Sequence, residues 1–82
     1  MAKSELSLPF DGERLRQYRE RAGLFQGELG KLCDVDQSRI SQLESGGTKP
    51  SPPLLKQLAR VLKIRVDDLL TPEDEEQAEA SA

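Results

Sequence analysis

Apolar side chains recur three and four positions apart along much of this chain, the period of helices with one buried face. Leu15, Tyr18 and Ala22 form the first such stripe. A helix is predicted there from an Asp11 cap to about residue 21, with Gly23 as its stop. A second helix is predicted over Gln26–Cys33, with Leu29, Leu32 and Cys33 on one side and Glu28 three residues beyond the cap position. Asp34 and Val35 read as a short turn. Asp36 then caps a third helix over Gln37–Ser45 that turns Ile40 and Leu43 inward and ends at Gly46 and Gly47. Ser51, followed by Pro52 at the first helical position, opens a fourth helix over Pro52–Leu62 whose inward set is Leu54, Leu55, Leu58, Ala59 and Leu62. A short fifth helix is expected over residues 66–70. The stretches between helices run from two to six residues, which suits a compact all-α bundle of five helices.

Composition sharpens this picture at the two ends. All twelve Lys and Arg and ten of the fifteen acids lie in residues 1–70, a net charge of +2, whereas residues 71–82 carry five acids and no base. The overall charge of −3 therefore hides a mildly basic body and an acidic tail. Residues 1–10 show no period and read as a flexible arm. Residues 11–70 read as the folded domain, and 71–82, with hardly any apolar bulk, as a disordered tail.

The same inventory removes several function classes. Cys33 is the sole cysteine and there is no His, so neither an internal disulfide nor a Cys/His zinc site can form, and a buried structural thiol is expected. No nucleophile lies beside a base, and no Gly-rich phosphate loop or metal-ligand cluster is present, which argues against an enzyme and against any cofactor or metal. No signal peptide is evident at the N-terminus, and no apolar run approaches the roughly 20 residues of a membrane span. A cytoplasmic setting is the expectation.

The ordered set Gly12-Glu13-Arg14-Leu15-Arg16, Arg19-Glu20, Gly23-Leu24, Gln26, Glu28-Leu29, Val35, Ser38, Ile40-Ser41, Leu43-Glu44, Gly46, Pro50-Ser51, Leu55, Leu58-Ala59, Leu62 and Val66-Asp67-Asp68-Leu69 resembles the lambda-repressor/Cro-like helix-turn-helix family, also called the xenobiotic response element family. The resemblance spans residues 12–70, and Ile-Ser-x-Leu-Glu-x-Gly is its most distinctive part. It implies a DNA-binding domain in which the second and third helices form the helix-turn-helix and the third enters the major groove, whose width admits one helix. By carry-over, Gln37, Ser38 and Ser41 are the expected base readers, with Arg39 and Gln42 behind them. Their side chains match the edges of bases: Gln can grip adenine by two bonds, Arg can grip guanine by two, and Ser serves either. Gln26, Thr48 and Lys49 are the expected phosphate contacts. Arg19 and Glu44 are expected to form a structural salt bridge that pins the third helix to the domain.

Departures from the family pattern fall mainly in the second helix. Phe25 stands where a capping Ser, Thr or Asn is usual, at a cost of about 1 kcal/mol. Gly30 replaces a usual Ala at the helix crossing, and Gly27 adds a similar loss of helix propensity. Asp34 replaces the turn Gly and must tolerate a left-handed backbone. Arg65 stands where a cap is common before the fifth helix. The implied function is a sequence-specific, repressor-like transcriptional regulator that binds operator half-sites in double-stranded DNA as a homodimer, its interface drawn from Ile64, Val66, Leu69 and Leu70, the arm or the tail. The alternative is an antitoxin or protein-interaction module of the same fold, with the acidic tail holding a protein partner.

Overall fold

The computed structural model describes residues 10–71. The stretches expected to be the N-terminal arm and the acidic tail lie, apart from Phe10 and Thr71, outside these residues. Among these residues four α-helices follow one another, α1 (Gly12–Arg21), α2 (Gln26–Cys33), α3 (Gln37–Ser45) and α4 (Pro52–Leu62), and a 3-10 turn (Val66–Leu69) comes after them. The fold is all-helical: no strand occurs among the described residues, only an isolated antiparallel bridge between Phe10 and Leu70.

The expected fifth helix is thus a 3-10 turn. Four residues are too few to repay α-helical nucleation. The Arg65 N–H donates to the Asp68 carboxylate at 2.9 Å, which caps the turn, and Leu70 leaves it in extended geometry to meet Phe10. That bridge also holds Phe10 half-buried against the core.

Local signals fix the other helix ends. Asp11 accepts from the N–H groups of Glu13 and Arg14 at the start of α1, and Ser51 accepts from Leu54 N–H at the start of α4. Asp36 stands at the cap position of α3 but makes no side-chain cap bond. Gly23 and Gly46 take the left-handed conformation after α1 and α3, and Asp34 does so after α2 with φ 63°. Lys63 ends α4 in the same conformation, which its residue type did not signal.

Leu15, Leu29, Ile40, Leu43, Leu58 and Leu69 are wholly buried, and Cys33, Leu54, Leu55 and Leu62 complete the core. α2 and α1 both pack on α3, and α4 backs α2. Three inward assignments need correction. Leu32 is 53% exposed because α2 buries a narrow stripe, Leu29, Gly30 and Cys33, between α3 and α4. Ala22 is exposed, one residue past the end of α1. Tyr18 is half-buried, and on α1 Arg19 occupies the interior position beside Leu15.

Candidate nucleic-acid interface

α3 has three kinds of side chain around its axis. Ile40 and Leu43 reach fully into the core. Ser38, Ser41, Gln42 and Ser45 are exposed, so the outward surface is short, polar and able both to donate and to accept. Gln37 is exposed too, on the flank that faces α2, where its Nε2 lies 3.5 Å from Gln26 Oε1. Arg39 is half-buried on the other flank, in a concavity shared with Asp34, Asp36, Gln42 and Ser51. Its Nε is shut off from solvent with no hydrogen-bond partner among the described residues.

The ion pair expected from the sequence is present, and it is the centre of a larger network. Arg19 Nε donates to Glu44 Oε2, and Arg19 Nη2 to Glu44 Oε1 at 3.1 Å. Only 10% of the Arg19 side chain and 5% of the Glu44 side chain remain exposed. The third arm of the guanidinium, Nη1, donates to the Leu24 carbonyl at 2.8 Å. The hydrogen bond to Glu44, reinforced by its charge against the opposing effect of burial, holds the Arg19 guanidinium above its usual value. One residue therefore ties α1 to the end of α3 and to the loop before α2.

Glu44 Oε1 also accepts from Gln26 Nε2 at 3.0 Å. This places Gln26, the first residue of α2, between the buried carboxylate and Gln37. The α2 N-terminus is open. Phe25 supplies no cap bond, as its side chain has no acceptor, and Glu28 accepts only from the Phe25 N–H, at 2.8 Å. Phe25 itself is 76% exposed. Beyond α3, Thr48 is half-buried and Lys49 exposed.

Two further cations border this face and were not singled out from the sequence. Lys31 shares an open groove with Gln26, Gly27 and Gln37. Arg16 shares another with Gln26, Ser41 and Ser45, and forms an exposed ion pair with Glu20 at 3.2 Å. The available signal for Arg16 was its place one turn before Arg19 on α1.

The model of the helix-turn-helix domain family matches residues 12–71. The chain belongs to this family. A transcriptional regulator of the helix-turn-helix type from Archaeoglobus fulgidus, itself uncharacterised, is 40% identical over 63 residues, 77% of this chain and 90% of the relative. The P22 c2 repressor, solved in complex with a synthetic operator, superposes with a TM-score of 0.71 at 37% identity, covering 73% of this chain and 91% of that one. The restriction-modification controller protein C.AhdI from Aeromonas hydrophila gives 0.68 at 34% identity, covering 71% and 88%. The lambda-repressor/Cro-like resemblance read from the sequence is thereby borne out. α2, the turn from Asp34 to Asp36 and α3 follow one another as helix, turn and helix within the matched residues.

The four residues expected at a homodimer interface within the described part are turned largely toward the core. Leu69 is wholly buried beneath α1 and α4, and Ile64, Val66 and Leu70 are half-buried against the same core.

Proposed function

We propose that this helix-turn-helix chain, a DNA-binding transcriptional regulator, reads a short operator half-site by laying α3 in the major groove. The observation that carries the reading is the division of α3: Ile40 and Leu43 anchor it at 0% exposure while Ser38, Ser41 and Gln42 stand free on the opposite side. Gln37, Ser38 and Ser41 read base edges, and Gln42 and Arg39 serve the rim of the same contact. Arg39, set back on its flank beside two carboxylates, is the least exposed of the five.

The phosphate contacts follow from the borders of that face. Gln26 opens a helix whose first N–H groups have no side-chain cap, and such groups favour an anion. Thr48 and Lys49 meet the backbone at the other end of α3. The body acts as a repressor-like homodimer on two half-sites about one helical turn, roughly 34 Å, apart, because a single recognition helix reads too few base pairs for useful specificity.

Selection of bound sequences from a random duplex pool tests this directly. An inverted repeat among the selected sequences is the expected result. A pool that stays random after selection would refute sequence-specific reading. Lys49→Ala should weaken binding to every sequence alike and reduce the salt slope by about one per subunit; an unchanged slope would remove Lys49 from the contact.

A further inference from the structure

The network around Glu44 fixes more than the position of α3; it also fixes which end of two amides faces which way. A carboxylate paired with a guanidinium has lone pairs to offer and no proton. The Gln26 atom 3.0 Å from Glu44 Oε1 must therefore be the donor, Nε2. The Gln26 carbonyl oxygen is then the end turned toward Gln37, so the Gln37 atom facing it, at the longer distance of 3.5 Å, must again be a donor. What remains free on Gln37 is its Oε1 and one Nε2 hydrogen. Adenine offers the major groove a donor at N6 and an acceptor at N7, which match these two groups, whereas guanine offers two acceptors.

We propose that Glu44, held by Arg19, sets the base preference of Gln37 for adenine without touching DNA, by fixing the amide of Gln26 and through it the amide of Gln37. Glu44 is a positioning residue at the end of a polarity relay: carboxylate to Gln26 amide to Gln37 amide to base. Replacing the carboxylate by an amide removes the constraint. Glu44→Gln can turn its NH2 toward Gln26, both later amides then reverse, and Gln37 presents its NH2, a pair of donors suited to guanine. Arg19 retains an oxygen partner in that variant, so the tether between α1 and α3 is weakened but not abolished.

The inference rests on the reading of α3 as the recognition helix, and the experiment separates the two. Selected duplexes are compared with the same duplexes carrying G·C for A·T at each position, using the full chain as parent, Gln37→Ala, Glu44→Gln and Gln26→Ala. Gln37→Ala identifies the base pair read by Gln37; if it changes no preference, the reading of Gln37 fails and the relay with it. At that base pair the parent should prefer adenine by about tenfold or more, the discrimination of one good two-bond contact. Glu44→Gln should bring adenine and guanine to within about twofold or invert them. Binding to mixed-sequence DNA should change less, because of the proposed phosphate contacts only Gln26 lies in the relay, while Thr48 and Lys49 stand outside it. Adenine preference retained in a folded Glu44→Gln protein overturns the relay. Gln26→Ala breaks the relay while leaving the Arg19–Glu44 pair whole, and decides the matter should Glu44→Gln fail to fold: loss of the adenine preference supports the relay, and its retention overturns it. A merely structural role for Glu44 would lower the melting temperature without moving the ratio of adenine to guanine.

Discussion

A Cβ built on Gly12 would lie 2.1 Å from the carbonyl oxygen of Leu43 and 2.7 Å from that of Glu44. The start of α1 thus rests directly on the backbone of the last turn of α3, and no flexible side chain intervenes to yield. Asp11 N–H donates to the Leu69 carbonyl at 2.9 Å on the other side, so α1 cannot retreat freely. Gly12→Ala should therefore act as an overpacking substitution at a rigid contact and cost about 2–3 kcal/mol. For a domain of this size that corresponds to a fall of about 10–20 °C in melting temperature. A melt within a few degrees of the parent would show that the α1–α3 contact is looser than described. Operator affinity at low temperature should fall as well, because this contact helps set the tilt of α3.

The Arg19–Glu44 pair makes a different kind of prediction, since a buried ion pair is weak evidence of net stabilisation. Removing one partner leaves the other charge in a site with little water, and such changes cost about 3–5 kcal/mol, whereas replacing both by apolar residues of similar size is often neutral. Arg19→Met should accordingly melt far below the parent, as should Glu44→Met. The double variant should melt above either single variant. A double variant as unstable as the two singles added together would mean that the side chains stabilise the domain independently of each other.

Much of this fold was legible because local rules and the final packing agree. The spacing of Leu54, Leu55, Leu58, Ala59 and Leu62, with Ser51 and Pro52 before them, specifies α4 completely, and all five are buried. Ile40 and Leu43 likewise orient α3, and Asp34 accepts the left-handed turn. Leu32 was misread because periodicity names an apolar stripe but not how much of it a neighbour covers; α2 has only eight residues, and its covered side ends short of Leu32. Arg19 was placed by family resemblance alone, since a charge on the inner face of α1 breaks the apolar stripe that the pattern predicts. The link from Glu44 through Gln26 to Gln37 joins residues 18 and 11 positions apart and became visible only once α2 and α3 had been packed together.

Cys33 supplies a pH-dependent test of the core. It is 5% exposed, and burial pushes its thiol above the ordinary value of 9.0. Above that pH the unfolded chain gives up the proton more readily than the folded one, so this group favours folding fully at lower pH and loses its contribution as pH rises through the raised folded value. Between about pH 8 and pH 10.5 the parent should lose melting temperature more steeply than Cys33→Ala. The other alkaline groups are common to both proteins, so the difference isolates the thiol. Equal slopes would place Cys33 in contact with water. A thiol reagent at pH 8 should also react slowly with the native protein and at once in denaturant.

Two glycines in α2 look equivalent in sequence and should respond in opposite directions to the same substitution. Propensity alone predicts that Gly→Ala in a helix gains up to about 1 kcal/mol. At Gly27 a Cβ would meet only Gln37 Oε1, at 3.7 Å, an ordinary contact. Gly27→Ala should therefore keep most of that gain and raise the melting temperature by about 4–8 °C. At Gly30 a Cβ would lie 2.6 Å from the Val35 carbonyl oxygen and 3.3 Å from the carbonyl carbon of Asp36, both backbone atoms of the turn. The turn cannot swing away cheaply, because Val35 N–H donates to the Gly30 carbonyl at 2.8 Å and holds the two segments together. Overpacking at such a site costs about 1–3 kcal/mol, which outweighs the propensity gain. Gly30→Ala should thus lower the melting temperature, although the family commonly carries Ala there. Stabilisation by both substitutions would show that α2 and the turn separate more easily than this packing implies; destabilisation by both would show that Gly27 also lies against a surface that cannot yield.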